Sequence, residues 1–248
     1  MRDKVLITGA AGRIGSRLIA YLKDDYDLVL TEKEVSSLSD WQSDSITVQT
    51  LDILNKEECL NCCSGVDMVV HLAGNPSPLA SYEEVKTINM DGTFTIMSAA
   101  SEKGCRRLIY ASSIHAVKGY EEDVQVKTDS VVRPPDFYGV TKVFGEALGS
   151  YFAYQESLEV IAIRIGGYRS LEMLVEKGEE LTMDQRDSYL SERDMGHLID
   201  RCLKADLDEP FLIVHGLSDN HFKFLDLSDT KRKLAYNPQD DGFEFKES

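Results

Sequence analysis

The sequence predicts an α/β fold: a Rossmann-like doubly wound parallel sheet of about seven strands with a small interleaved C-terminal region. Three observations predict it. Short apolar runs alternate with helix-length amphipathic stretches, the pattern of a parallel sheet with crossover helices on both faces. The first run, Lys4-Val-Leu-Ile-Thr8, leads straight into a glycine-rich turn and then a helical pattern. The chain has 248 residues, 42% of them hydrophobic, enough to bury one large core.

The elements follow in order. A strand is expected over residues 5–8 and a helix over 15–23, where Leu18, Ile19 and Leu22 recur at three- and four-residue spacing. Strands over 28–31 and 46–51, a helix over 56–63 and a strand over 68–72 come next. A long helix over 82–103, a strand over 108–111, a second long helix over 138–155 and a strand over 160–163 complete the regular part. After Ile165 the pattern loosens, and residues 169–186 are polar and irregular. Ser191 with Asp194 three residues on reads as the start of a helix running to about Ala205, and a last strand returns at 211–214. There is no internal repeat and no Pro/Gly/Ser-rich linker. Residues 1–167 are therefore expected to form the cofactor domain, and 168–248 a substrate-binding region that is not an independent domain.

Charge excludes several partners. Lysine and arginine number 27 against 43 aspartates and glutamates, a net −16, so a nucleic-acid backbone or an anionic membrane surface would be repelled. No apolar run approaches the ~20 residues that span a bilayer, and no signal-peptide pattern precedes the strand beginning at Val5, which predicts a cytoplasmic protein. Cys59, Cys62 and Cys63 make a CxxCC cluster, but in a helical pattern with no second Cys/His pair at zinc spacing. We read them as packed thiols and expect no metal site.

The turn Gly9-Ala-Ala11-Gly12-Arg13-Ile14-Gly15 sits between a strand and a helix, where glycines let the backbone approach a pyrophosphate and the helix start supplies free N–H groups. A dinucleotide site is expected here. Glu32, closing the second strand, suits both adenosine ribose hydroxyls and would repel a 2′-phosphate, which favours NAD over NADP despite the neighbouring Lys33. Asp52, with Ile53 after it, is placed to accept from the adenine amino group or to form a turn. The stretch His71-Leu72-Ala73-Gly74 brings small residues beneath the cofactor, with His71 itself a packed core residue. Ile165, just past the sixth strand, is also expected to touch the cofactor.

Tyr138 and Lys142 are four apart on a helix and share a face. A tyrosine titrates near ~10, so a neighbouring ammonium would favour the phenolate that accepts a proton. Ser113, ending the RLIYASS strand, would hydrogen-bond the oxygen whose proton Tyr138 takes. Asn89, in INMDGT, either completes a proton relay or fixes the backbone.

Together GAAGRIG, HLAG, NMDGT, ASS and YGVTK, in this order and spacing, resemble the extended short-chain dehydrogenase/reductase family, which includes the NAD-dependent epimerase/dehydratases. ASSIHAVKGY, RPPDFYGVTKVFGE, VIAIRIGGY, SYLSERDM, FLIVHGLSDN and LAYNPQDD are similar to stretches of its uronate and sugar dehydrogenase branch. The resemblance implies Ser113, Tyr138 and Lys142 as the catalytic set, with Lys142 also holding the cofactor ribose. It implies substrate contacts from Ser77, His115 and an arginine of the late loop, matched best by Arg186, with Arg193 and Arg169 as alternatives. It implies pairing of two copies through the two long helices. At one position the chain departs from the branch, carrying Ile114 where an asparagine amide would meet the sugar; a sugar hydroxyl left unpaired there costs on the order of 1–3 kcal/mol.

The expected activity is NAD-dependent oxidation of a hydroxyl, the anomeric one, of a small sugar, sugar acid or sugar phosphate. The alternatives are a redox-neutral sugar epimerase that retains its NAD and a non-catalytic NAD(H)-binding regulator.

Overall fold

The seven apolar runs become one sheet. A computed structural model describes residues 2–169 and 181–244. Its main sheet has the order β3-β2-β1-β4-β5-β6-β9, every pairing parallel. The strands are β1 (Lys4–Thr8), β2 (Asp27–Glu32), β3 (Ile46–Thr50), β4 (Met68–His71), β5 (Arg107–Ser113), β6 (Glu159–Ile165) and β9 (Phe211–Gly216). A separate two-stranded ladder pairs β7 (Gly167–Tyr168) with β8 (Tyr189–Leu190).

Alternation along the strands explains why the sheet is covered twice. Val5, Ile7, Met68, Val70, Ile109, Ile161 and Ile163 enter one apolar core, while Leu6, Val69, Leu108, Tyr110, Val160 and Ala162 enter another on the opposite face. The first core is closed by α1 (Gly15–Leu22) and a later helix, Glu192–Lys204, through Leu18, Ile19, Met195, Leu198 and Ile199. The second is closed by α2 (Lys56–Cys63), the helix Gly92–Glu102 and α5 (Phe137–Gln155), through Cys59, Ile96, Met97 and Phe152. Each fully buried leucine or isoleucine here contributes roughly 1.5–3 kcal/mol. Met195, Leu198, Leu212 and Val214 share a core with Val5 and Ile7, so the C-terminal segment is built into the sheet. Cys59, Cys62, Cys63, Cys105 and Cys202 are all buried and free of disulfides. Among the described residues no helix is long and apolar enough to cross a membrane.

The long helix expected over 82–103 is interrupted. It divides into α3 (Tyr82–Val85), a π-helical segment Lys86–Asp91 and α4 (Gly92–Glu102). The wider turn is accompanied by two local bonds, Thr93 Oγ1 to the Asn89 carbonyl at 2.6 Å and Thr95 Oγ1 to the Asp91 carbonyl at 2.9 Å. Gly92, where the segment ends, packs against the Ile53 side chain, which a Cβ there would have to displace.

Strand order reverses between β1 and β4, and in such sheets ligands bind outside the carboxyl ends at that point. The ends of β1, β4, β5 and β6 all open onto one cleft there.

Candidate active site

The glycine turn forms the floor of this cleft. Gly9 has φ +69°, a conformation costly for side chains, and its backbone lies against Ala73, so that a Cβ would sit 2.8 Å from the Ala73 nitrogen. Helix α1 then begins with no side-chain cap on its N–H groups and no acidic residue in its first turn. Arg13 stands beside it on the cleft wall. Open N–H groups, a positive dipole end and a guanidinium suit an anionic diphosphate, so the turn fits the dinucleotide read from the sequence.

The cleft encloses about 450 Å³. Of the residues singled out in the sequence, Gly9, Gly12, Arg13, Ile14, Gly15, Leu72, Gly74, Ser113, Ile114, His115, Tyr138, Lys142 and Ile165 line it. The others lie apart from its wall. Ala11 packs against the first core and Ala73 backs Gly9. Glu32 stands at the end of β2, accepting from the Lys33 backbone N–H at 3.1 Å. Asp52 forms an ion pair with Lys33 at 2.9 Å, and Ile53 is buried against Gly92. Ser77 is in the loop after β4, held by the Asn75 side chain at 3.0 Å.

Asn89 is a backbone anchor in this arrangement. Its Oδ1 accepts from the Asn75 N–H at 2.8 Å, and its amide donates to the Asn75 carbonyl at 3.0 Å and to Thr141 Oγ1 at 3.1 Å. That side chain is fully engaged behind Gly74. His71 is a core residue between Thr8 at 2.8 Å and Thr93 at 3.3 Å, and burial pushes its pKa down to about 3.

Local structure positions the three residues predicted as the catalytic set. Ser113 ends β5, and its Oγ accepts from the His115 N–H at 3.2 Å at the start of a 3₁₀ turn, Ile114–Ala116. Tyr138 and Lys142 are on α5, which starts at an Asp136 cap whose carboxylate accepts from the Gly139 N–H at 2.7 Å. Burial raises the Tyr138 phenol above its ordinary value, and bonding to the Ser113 hydroxyl opposes that rise, as does the charge of Arg13. The ammonium expected to favour the phenolate stands over the Tyr138 ring. Lys142 Nζ donates to the Ala111 carbonyl at 2.8 Å and lies 5.4 Å from the Tyr138 ring centre, and burial lowers its pKa to about 8.

Ile114 faces the cleft but is also anchored in a third apolar cluster with Val117, Val126, Leu217 and Leu225. The isoleucine fastens the loop to that cluster and leaves an apolar stretch of wall.

Arg186, the late arginine the sequence matched best, does not line the cleft. Arg186 Nε donates to the Leu181 carbonyl at 3.0 Å and its Nη1 to the Gly242 carbonyl at 3.1 Å, outside the cleft wall. It ties the α6 helix (Met183–Asp187) to the C-terminal segment. Arg193 pairs with Asp240 at 2.6 Å. Arg169, directly after β7, lines the cleft, and its Nε is buried with no hydrogen-bond partner among the described residues. Residues 170–180 of the expected substrate loops lie outside the described residues. Lys118 and Asp184, which sequence reasoning missed, pair at 2.9 Å on the cleft wall. Tyr168, also missed, donates to the Arg13 carbonyl at 3.3 Å and so closes β7 over the glycine turn. Neither carries a sequence signal, because both depend on the folded position of the late segment.

A family model described as the NAD dependent epimerase/dehydratase family matches residues 5–214. The chain is 34% identical to the NAD-dependent glucose-6-phosphate dehydrogenase of Haloferax volcanii, covering 99% of this chain and 96% of that one. It is 33% identical to the L-arabinose 1-dehydrogenase (NAD(P)(+)) of the same organism, covering 96% of each. Among solved structures, uronate dehydrogenase from Agrobacterium tumefaciens matches with a TM-score of 0.85 at 26% identity, over 98% of this chain and 86% of that one.

Proposed function

The chain belongs to the NAD-dependent epimerase/dehydratase family, and on that premise we propose how its cleft performs NAD-dependent oxidation of a sugar or sugar acid. One observation carries the reading: Ser113, Tyr138 and Lys142 share a single cleft with the glycine turn and the uncapped start of α1.

NAD, when bound, supplies the hydride acceptor. Gly9, Gly12 and Gly15 with Arg13 would hold its diphosphate, and Glu32 and Asp52 its adenosine end. Tyr138 Oη takes the proton of the reacting hydroxyl, the anomeric one, as the carbon loses its hydride; the product is a lactone. Ser113 Oγ orients that oxygen and holds the phenol. Lys142, fixed by its bond to the Ala111 carbonyl, would hold the ribose. His115 and Ile114 bound the sugar, and Arg169 meets an anionic substituent where the substrate carries one. The relatives' names span a sugar phosphate, a neutral pentose and a uronate, so a panel is the fitting test. Purified protein with NAD is offered glucose 6-phosphate, L-arabinose, glucuronate and galacturonate, and NADH is followed. NADH formation with one of them supports the reading; silence with bound NAD and an interconverted sugar would replace it with an epimerase.

The two long helices also leave an aromatic face in solvent. Phe94 on α4 and Phe137, Val140, Tyr151 and Tyr154 on α5 are exposed, with Tyr82 beside Phe137 at 5.8 Å between ring centres. A patch of that kind marks an association surface, and we assign it to a second copy of the chain. Phe94→Asp should convert a dimer to a monomer in light scattering; an unchanged mass would remove this face from the assembly.

A further inference from the structure

Asp136 has two bonds, only one of which the helix requires. Its Oδ1 accepts from the Gly139 N–H at 2.7 Å and caps α5, while its Oδ2 meets His115 Nδ1, also at 2.7 Å. The His115 ring lines the cleft and stands edge-on to Tyr138, with 5.5 Å between ring centres. Its backbone N–H is bonded to Ser113 Oγ. Gly139 packs so tightly on this loop that a Cβ there would collide with the His115 carbonyl oxygen. Asp136 therefore fastens the loop carrying Ser113 to the helix carrying Tyr138, and the histidine ring is the fastening point.

An ionised carboxylate only accepts hydrogen bonds, so the hydrogen shared with Asp136 belongs to His115 Nδ1. In a neutral imidazole this leaves Nε2 as an acceptor, and among the described residues the His115 ring bonds only through Nδ1. We propose that Asp136 is a positioning residue that fixes the His115 tautomer, so that Nε2 accepts a hydrogen bond from a substrate hydroxyl beside the reacting one. The inference rests on the sugar-dehydrogenase reading of the cleft. It adds a requirement on the substrate: a free hydroxyl, not an anionic group, occupies the position next to the carbon being oxidised. Any carboxylate or phosphate is met elsewhere, at the Arg169 side.

Asp136→Asn separates this role from the cap. Asparagine is an equally good cap through its Oδ1, but its amide donates to Nδ1 and drives the ring hydrogen onto Nε2. Long-range proton–nitrogen spectra of protein labelled at its five histidines, assigned with His115→Phe, should place the hydrogen on Nδ1 in the natural protein and on Nε2 in the variant at pH 8.5. For the sugar the natural protein oxidises, kcat/KM should fall at least tenfold in Asp136→Asn, with NAD affinity and melting temperature unchanged. Asp136→Ser, which keeps a cap and removes the carboxylate, should also lose at least tenfold. A hydrogen on Nε2 in the natural protein overturns the proposal, as does a sugar kcat/KM within twofold in both variants. If no sugar reduces NAD while the spectra show the Nδ1 hydrogen, the dehydrogenase reading fails and the tautomer assignment stands.

Discussion

Glu146 and Arg164 form a two-pronged ion pair beside Ser112, next to Ser113. Arg164 Nε meets Oε1 and Nη2 meets Oε2, both at 2.9 Å, and the two side chains are only 5% and 2% exposed. The same Oε1 accepts from Ser112 Oγ at 2.6 Å, and Arg164 Nη1 reaches the Thr128 carbonyl at 3.3 Å. One ion pair thus joins β5 beside Ser113, β6 beside Ile165, and α5 one turn beyond Lys142. Removing one partner strands a buried charge, which costs about 3–5 kcal/mol, whereas replacing both by apolar side chains is often close to neutral. Glu146→Ala should therefore lose several kcal/mol in urea unfolding, and Glu146→Leu with Arg164→Met should lose much less. Equal losses would show that the pair is not the source of the penalty.

Tyr138→Phe removes only the hydroxyl we propose as the proton acceptor. Turnover should fall at least a hundredfold while NAD affinity changes less than threefold, measured by NADH formation and by calorimetry. A variant that keeps more than a tenth of the activity would take Tyr138 out of the proton step.

Cofactor choice turns on the end of β2. Among the described residues the Glu32 carboxylate accepts only from the adjacent Lys33 N–H and carries no ion pair, while the Lys33 ammonium is paired with Asp52 at 2.9 Å. The Lys33 ammonium is thereby drawn to Asp52, just past β3. Glu32→Ala should raise the NADP-to-NAD ratio of kcat/KM about tenfold. An unchanged ratio would show that Glu32 does not set the preference.

Much of this was legible in the sequence because it was local. Apolar runs fixed all seven strands of the main sheet, the glycine turn placed the cleft floor, and the Tyr138–Lys142 spacing placed both on one helix face. What escaped depended on packing between distant segments. Asn89 was open to two roles until Asn75 and Thr141 were seen to occupy its amide. The π-helical segment Lys86–Asp91 has no signature in a periodicity that still looks helical. Arg186 was matched by spacing alone, and spacing carries no information about the carbonyls of Leu181 and Gly242 that engage it.

The two arginines can be told apart by what each loss affects. Arg169→Ala should raise KM for an anionic sugar at least tenfold and leave the melting temperature nearly unchanged, since its Nε has no hydrogen-bond partner among the described residues. Arg186→Ala should do the reverse, costing about 1–2 kcal/mol for two carbonyls left without donors. Parallel kinetics and thermal unfolding decide it, and an Arg169→Ala enzyme with unchanged KM would exclude Arg169 from the sugar.

Asp187 gives a pH test of the same corner. Burial, and then the charge of Asp184, raise its carboxyl to about 6, and its Oδ1 is buried with no hydrogen-bond partner among the described residues. Its unfolded value is 3.8, so between those limits the native state holds a proton that the unfolded chain has released. The stabilisation that proton brings is complete below about pH 4 and is lost as pH rises through 6. Ionised Asp187 therefore weakens the fold at neutral pH, by about 1 kcal/mol once solvent screening is allowed for. Asp187→Asn mimics the neutral form, and should raise the melting temperature by roughly 2–4 °C at pH 7.5 and by nothing at pH 4. Buried neutral His71 and His215, pulled down to about 3 and 4, have the opposite sign and destabilise the fold as pH falls below 6.5. They do so equally in both proteins, so the difference between variant and natural protein isolates Asp187. A gain that is the same at both pH values would assign the effect to packing instead of charge.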